Sequence, residues 1–579
     1  MKYSHRSGCS WYTTCAVILL VAIVGFGSFA DDTHDRMVFL QFADPVFRTG
    51  LEQHNLLGEA GYRVHNTGFH AQTFGERWRK SPLLDTAQSS GRPYYIDRIM
   101  GGMPYQSLEG IDEIATRLKD DPNFLGFQAH EWGNSPTHDY HRIHRLILEK
   151  GKELNKENFS PFEGSTATPY FSAGDFSIYQ DLYRELATQE DVEGYLSDYF
   201  KKLVALTDGQ LVSVTGYGQL HHTALRLGAK NVMAEIGNQV PLTAIQIACA
   251  RGAARQHGKP FGAYYEPWGG SPMGCVCATD FSPWWPLEPK MKARMDGYNI
   301  GPKHGSSRSL QRRLLYYAWL SGAAWWSEEW GAENYFSNWE DYPITAYGRI
   351  VQEFQEATRG ITGLKPVVPM ALVTPPDTFG IDIRYVAGHS ETLWRIAPAD
   401  AFHGNLRRFA KAFFATQGRT AGSDSQNLTP SPWIGCFDVL DADAPASTLE
   451  KYAGVVYFDA EQAATKEEAL LFDDSPETNS KIKSAIHGAL PYHVEGRVGV
   501  AQARANGRYL IGVFNNLGIT KTLEGEAADP AATQSATVQG NTTGMNVLVG
   551  ETFVTAHDAS QLELTIPAGE VVVLSFPDE

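Results

Sequence analysis

The chain has 579 residues, 43% hydrophobic and 20% charged, the make-up of a globular protein too long for a single core. Lys plus Arg number 49 against 66 Asp plus Glu, a formal charge of −17. That balance argues against nucleic acid as a partner, because phosphates are met by basic patches. No H-E-x-x-H zinc motif, P-loop or Gly-rich dinucleotide fingerprint stands out.

The N-terminus reads as an export signal. Lys2, His5 and Arg6 precede an apolar run over 15–26, and Ser28 and Ala30 supply the small residues wanted before a cleavage site. Residues 1–30 are therefore expected to be a signal peptide, with an uncleaved anchor as the alternative. The mature chain is expected to be secreted or periplasmic, with no membrane contact after cleavage. Cys9 and Cys15 leave with the signal, and Cys249, Cys275, Cys277 and Cys436 remain. Four spread cysteines make no disulfide framework. The Cys275–Cys277 spacing leaves a disulfide, a metal site or free thiols open.

From residue 31 to 365, short apolar runs alternate with helical segments. Strands are expected at 37–43, 62–67, 94–101, 124–132, 210–218, 231–237, 261–268 and 323–330. Helix-like stretches between them include "LEGIDEIATRLKDD", "HRIHRLILEKGKEL" and "PLTAIQIACARGAARQHG". In the last, Ile245, Ala248, Cys249 and Gly252 follow the i, i+3, i+4, i+7 spacing of one helix face. Eight strands with intervening helices predict a (β/α)₈ TIM barrel. Residues 366–493 read as a small α/β domain of flavodoxin- or amidotransferase-like type, with "LRRFAKAFFATQG" as one helix. Residues 494–579 read as a C-terminal β-sandwich, with a hairpin turn at Asn506-Gly507 and alternating apolar residues in "QLELTIPAGEVVVLSF".

Barrel enzymes carry catalytic groups at the C-terminal ends of strands. Four expected strands offer glutamate there: Glu131 in "HEWGN", Glu235 in "MAEIGN", Glu266 in "YYEPWGG", and Glu328 and Glu329 in "WWSEEWG". A carboxylate after an apolar run is costly if the strand merely fills a core. Two such groups are what glycosidic bond cleavage needs: an acid for the departing oxygen, and a carboxylate that attacks the anomeric carbon or activates water. Trp132, Trp268, Trp325, Trp326 and Trp330 stand in the same motifs, with Trp284 and Trp285 in a following loop. They are candidates to stack on sugar rings, and each is also an ordinary core residue. Tyr217, His221 and His222 in "TGYGQLHH" are candidates to line the same mouth. The two histidines are adjacent, so they face different ways, which argues against a metal site. Arg98 in "YYIDRIMGG" is a candidate to hold a carboxylate charged, or to form an interior ion pair.

"DDPNFLGFQAHEWGN" resembles the fourth-strand motif of clan A glycoside hydrolases, especially the family 42 β-galactosidases, and the domain order resembles that family too. The resemblance implies that Glu131 is the acid/base and Glu266, 135 residues later, the nucleophile. Glu235 is the rival nucleophile. His130 stands where the clan usually has Asn, a donor to the sugar 2-hydroxyl, and Asn134 is a candidate to substitute for it. Glu329, Trp132, Trp268 and Trp326 complete the expected substrate site. The implied protein is a secreted retaining glycoside hydrolase. Its expected substrate is an oligo- or polysaccharide, a β-linked galactoside or related plant or algal glycan. Glu131 is expected to start protonated and Glu266 ionised. No metal or organic cofactor is required, and family 42 members often form homo-oligomers. The alternatives are a carbohydrate-binding protein on a degenerate barrel and an inverting hydrolase using another carboxylate pair.

Overall fold

The computed structural model describes residues 36–578 except 59, 66–72, 101–106, 134–183, 185, 239, 241, 268–305, 330, 377, 382–385, 387–400, 417–426, 465–468 and 523–524. The expected signal peptide, the helix "HRIHRLILEKGKEL", Asn134, Cys275, Cys277, Trp268, Trp284, Trp285 and Trp330 lie outside the described residues. No described helix is long and apolar enough to cross a membrane.

Eight parallel strands close into a barrel in sequence order: β1 (Val38–Phe42), β2 (Gly61–Val64), β3 (Tyr94–Met100), β4 (Phe124–Ala129), β5 (Leu211–Thr215), β6 (Asn231–Gly237), β7 (Phe261–Glu266) and β8 (Trp325–Glu328). All eight fall where the apolar runs placed them, and most end sooner. β4 stops at Ala129 and β8 at Glu328, so Glu131 and Glu329 sit just past their strands while Glu235 and Glu266 are still within theirs.

Side chains alternate along each strand. One set, including Leu40, Tyr95, Leu125, Val212, Val214, Met233, Tyr264 and Trp325, fills the barrel interior. The other set, including Phe39, Ile96, Phe127, Val232, Ala234 and Tyr265, packs outward on the helices. The helix Thr243–His257 is buried from Thr243 to Ala254, a wider face than the four-residue stripe read from its spacing. It is sandwiched: Gly252 lies so close to the Val439 carbonyl that an added Cβ would stand 1.9 Å from it.

What covers that helix is an α/β unit. β9 (Lys365–Pro366) leads into β10 (Met370–Val373), followed by β11 (Phe437–Leu440), β12 (Gly454–Tyr457) and β13 (Leu470–Leu471). The last four form a parallel sheet in the order β11-β10-β12-β13. Buried ion pairs lock it to the barrel helix, with Asp438 accepting from Arg251 at 2.6 Å and from Arg255 at 2.5 Å.

The remaining strands are β14 (His493–Gly496), β15 (Gly499–Ala505), β16 (Arg508–Phe514), β17 (Ile519–Thr522), β18 (Gly525–Ala528), β19 (Gln534–Gln539), β20 (Asn546–Val549), β21 (Val554–His557), β22 (Gln561–Ile566) and β23 (Val571–Pro577). They build two facing antiparallel sheets, β14-β19-β22-β21 and β20-β23-β16-β15-β9, with β17-β18 as a separate ribbon. β9 belongs to this second sheet, so the chain touches the sandwich before it enters the α/β unit. Asn506 (φ 52°) and Gly507 (φ 67°) both take left-handed conformations in the β15–β16 turn, as a two-residue hairpin requires. "QLELTIPAGEVVVLSF" is no hairpin: β22 and β23 lie in opposite sheets. β22 alternates cleanly, with Leu562, Leu564 and Ile566 inward, while β23 is buried on both faces from Val571 to Phe576. Val572, Leu574 and Phe576 fill the sandwich core. Val571 and Val573 join the core shared with the barrel helix Arg308–Leu320.

Candidate active site

The C-terminal mouth of the barrel gathers four of the expected glutamates. Glu235 and Glu266 reach it by plain alternation. Their neighbours Ala234, Ile236 and Tyr265 pack outward, so the glutamates point in. Glu131 and Arg98 arrive by a different device. In β4, Phe127 and Ala129 face the helices, so an extended chain would turn Glu131 outward too. Glu131 instead has φ 46°, which swings its side chain back to the mouth. Arg98 has the same φ of 46°, and β3 bulges against β4 between Ile96 and Met100. Asp97 and Arg98, consecutive residues, therefore both serve the mouth. A left-handed conformation costs a non-glycine residue about 1–3 kcal/mol and persists where the surroundings over-determine it.

The geometry is tight. One carboxylate oxygen each from Glu131, Glu235 and Glu266 lie within 4.8 Å of one another, as do ligand atoms of His130, Glu131 and Glu329. His130 Nε2 is 3.3 Å from Glu131 and 3.7 Å from Glu329. Its ring meets Tyr264 edge-on at 5.3 Å. Glu235 and Glu266 are 4% and 8% exposed, while the Glu131 side chain keeps 21% of its surface in solvent. Glu266 Oε2 is buried and has no hydrogen-bond partner among the described residues. Arg98 pairs with Glu329. Behind them Arg63 bonds Asp97 at 2.9 Å, and His65 contacts the same oxygen of Asp97.

Burial holds the Glu235 carboxyl well above the usual range, and the charges of Glu131 and Glu329 push it further. Burial does the same at Glu266, reinforced by Glu235, Glu329 and Glu131. Arg98 opposes the rise at both. Carboxylates this close and this dry cannot all carry charge, so they share protons and titrate as a unit. The Glu131–Glu235–Glu266 triad offers oxygen ligands, and the His130–Glu131–Glu329 triad oxygen and nitrogen ligands, at a spacing a divalent cation accepts.

Other expected residues lie elsewhere. Trp132 is fully buried against Phe200, ring centroids 4.3 Å apart, and offers no face to a sugar. Trp326 points out of the barrel, stacks on Tyr265 at 5.5 Å and donates to Glu328 at 2.9 Å. Trp325 is part of the barrel filling. Glu328 faces outward with Trp326, so Glu329 is the one of that pair in the mouth. His221 and His222 are buried in the helix Leu220–Arg226. The His222 Nε2 contacts the Val439 carbonyl at 2.8 Å, and burial lowers the two imidazoles to about 3 and about 4. His222 serves the junction with the α/β unit. Tyr217 is buried beside Gly216, and Gly216 gives a backbone hydrogen bond to Glu235. Arg63, His65, Asp97 and Tyr264 went unread in the sequence. No local motif marks them, and only the inward register of β2, β3 and β7 could have.

Fold and site together define a (β/α)₈ barrel protein with a desolvated glutamate cluster at the C-terminal mouth of its barrel. No protein-family model matches the chain, and no curated protein matches it. Among solved structures, it aligns with a catalytic mutant of a GH42 β-galactosidase from G. stearothermophilus at 9% identity and TM-score 0.48, over 95% of this chain and 100% of that one. A second GH42 β-galactosidase structure aligns at 8% identity and TM-score 0.46, covering 95% and 99%. A cold-adapted β-galactosidase from Rahnella sp. aligns at 10% identity and TM-score 0.38, covering 94% and 99%.

Proposed function

We propose that the chain is a retaining glycoside hydrolase in which Glu131 is the acid/base and Glu266 the nucleophile. The observation that carries this reading is the mutual approach of Glu131, Glu235 and Glu266 within 4.8 Å at the mouth of a closed barrel. Retaining pairs stand about 5–5.5 Å apart and inverting pairs about 6.5–9.5 Å, the wider gap leaving room for water. The closeness favours direct attack by a carboxylate.

The roles follow from exposure. Glu131 is the most accessible of the three, next to the solvent from which the second-step water comes. Glu266 sits deeper, and its buried, unbonded oxygen suits a group that bonds to an anomeric carbon. When the cluster holds its shared proton on Glu131, Glu266 is the anion. Glu131 then protonates the departing oxygen as Glu266 forms the glycosyl-enzyme, and Glu131 next deprotonates water to release the sugar. Glu235 and Glu329 remain to accept hydrogen bonds from sugar hydroxyls, with Arg98 balancing their charge. The substrate is a β-linked galactoside or related plant or algal polysaccharide, met outside the cytoplasm after removal of residues 1–30.

Trapping with an activated 2-deoxy-2-fluoro galactoside tests the assignment. The expected result is a covalent adduct on the peptide containing Glu266. An adduct on Glu235 would move the nucleophile there. An inverted anomer as first product, with no adduct, would end the retaining reading.

A further inference from the structure

The α/β unit gives way to the sandwich at a pair of facing histidines. His487 lies in the last turn of the helix Pro476–Ala489, and His493 opens β14, the edge strand of its sheet. Residues 488–492 join them. Their Nδ1 atoms stand 3.0 Å apart where solvent reaches them. The barrel chemistry uses neither ring.

As a hydrogen bond this contact achieves little. One ring has to keep its proton on Nδ1 so that the other can accept it, and a neutral bond at an exposed site adds little to stability. As a ligand pair the same atoms fit well. A Zn²⁺-like ion bonds imidazole nitrogen at about 2.0–2.1 Å, which at octahedral or tetrahedral angles sets two nitrogens about 2.8–3.4 Å apart. The observed 3.0 Å falls within that bite. Ring placement is a second, independent measure. Along a straight N–H···N bond of this length the ring centroids would lie about 5.3 Å apart. Converging on a shared ion they would lie about 4.7 Å apart. They are 4.6 Å apart, with the planes inclined by 46°.

The surroundings favour a cation. The helix ends on Leu490, extended at φ −104° and ψ 132°, so no left-handed residue folds back to cap its last carbonyls. The negative end of the helix dipole is therefore beside His487. Glu495, two residues on and on the same face of β14, is near enough for its charge to act on the His493 ring. The Trp433 ring meets His487 edge-on, centroids 5.2 Å apart, and limits its rotation.

We propose that His487 and His493 bind one divalent transition-metal ion of the kind imidazole suits, zinc, copper or nickel, through their Nδ1 lone pairs. Each ring then carries its proton on Nε2, and water fills the remaining positions. The role of the ion is structural: it clips the last helix of the α/β unit to β14 of the sandwich.

Calorimetric titration of the full chain with zinc chloride tests this, with magnesium chloride as the contrasting probe. Zinc is expected to fill a site that magnesium, which takes oxygen ligands, does not. His487→Gln or His493→Gln leaves one imidazole and no chelate, so that site should weaken at least about tenfold in either variant. Zinc should raise the melting temperature of the wild type and of neither variant. The triads at the barrel mouth are the competing site. Zinc binding that survives in both histidine variants and is lost in Glu131→Ala would place the ion there and overturn the proposal. So would equal zinc affinity in wild type and both variants, or no zinc binding at all. Copper(II), added at one equivalent to the wild type, gives a check that needs no variant. Its electron paramagnetic resonance spectrum should show splitting from two nitrogens, and an all-oxygen spectrum would exclude the pair.

Discussion

Arg98 and Glu329 meet as an ion pair across the barrel mouth, one from the left-handed kink in β3 and the other from just past β8, with side chains 19% and 8% exposed. The pair joins non-neighbouring strands and sets a positive charge that opposes protonation of both Glu235 and Glu266.

Arg98→Met removes that charge. The Glu266 carboxyl then rises further, so the anion needed for attack is lost at higher pH. The acidic limb of the pH profile of kcat/KM is expected to move upward, while Arg98→Lys restores part of the wild-type position. An unmoved acidic limb in a folded Arg98→Met protein would remove Arg98 from the charge balance.

Glu131→Ala should lose most activity on a natural glycoside but keep more on an activated aryl glycoside, whose leaving group needs no proton. General acid–base help is worth about 10²–10⁴-fold. Azide should restore turnover in Glu131→Ala with retention, and in Glu266→Ala should yield the opposite anomer. If Glu235→Ala gives the Glu266 pattern while Glu266→Ala stays active, the nucleophile is Glu235.

Glu328, turned out of the barrel, is raised to about 7, first by burial, against hydrogen bonds from Trp326, Tyr335 and Gln311. An acid whose folded pKa exceeds its unfolded one binds more protons in the native state. Its contribution to stability is therefore present at low pH and lost as pH rises from about 4.3, the ordinary glutamate value, towards 7. Glu328→Gln mimics the protonated form. Its thermal stability should exceed wild type above neutrality, by an amount on the order of 3 kcal/mol at most, and match it near pH 4. Parallel melting-temperature profiles for the two proteins would contradict this.

Asp97 is pulled the other way. Burial alone would raise it, but Arg63, His65 and Arg98 together hold it far below the usual carboxylate range. Its stabilising contribution is complete above about pH 4 and fades as the medium grows more acidic. Asp97→Asn leaves Arg63 buried without its counter-charge and should cost about 3–5 kcal/mol at neutral pH. Denaturant unfolding would report it as an earlier midpoint.

Leu564→Asp and Val572→Asp each place an unpaired charge in the sandwich core, where both residues are essentially inaccessible. A loss of a few kcal/mol is expected for each. Unchanged thermal unfolding in both would place these side chains outside a core.

The barrel was legible because its strands are short apolar runs whose spacing survives errors at their ends. Glu235 and Glu266 were legible for the same reason: alternation alone turns them inward. Glu131 was found through its motif, but nothing in "HEWGN" announces the positive φ that aims it. Trp132, one residue on, was read as a sugar platform and proves to be packing against Phe200, since an aromatic beside a catalytic residue looks the same in sequence whichever face it takes. The pair Arg63–Asp97 depends on two strands meeting in register, which no local pattern encodes. The upward pull on the Glu266 carboxyl is not legible in the sequence, because it comes from burial and from three other carboxylates on or just past three other strands.

β23 is a party wall. Its odd residues Val571 and Val573 close the barrel side, and its even residues close the sandwich side. This strand is thus one that both units need. A chain cut before Val571 loses two side chains of the core shared with the helix Arg308–Leu320, and β16 loses the strand it pairs with along its full length. Trimming or swapping the C-terminal module of such a protein cannot be done at the boundary between its sheets, because the outer wall of one is the inner wall of the other.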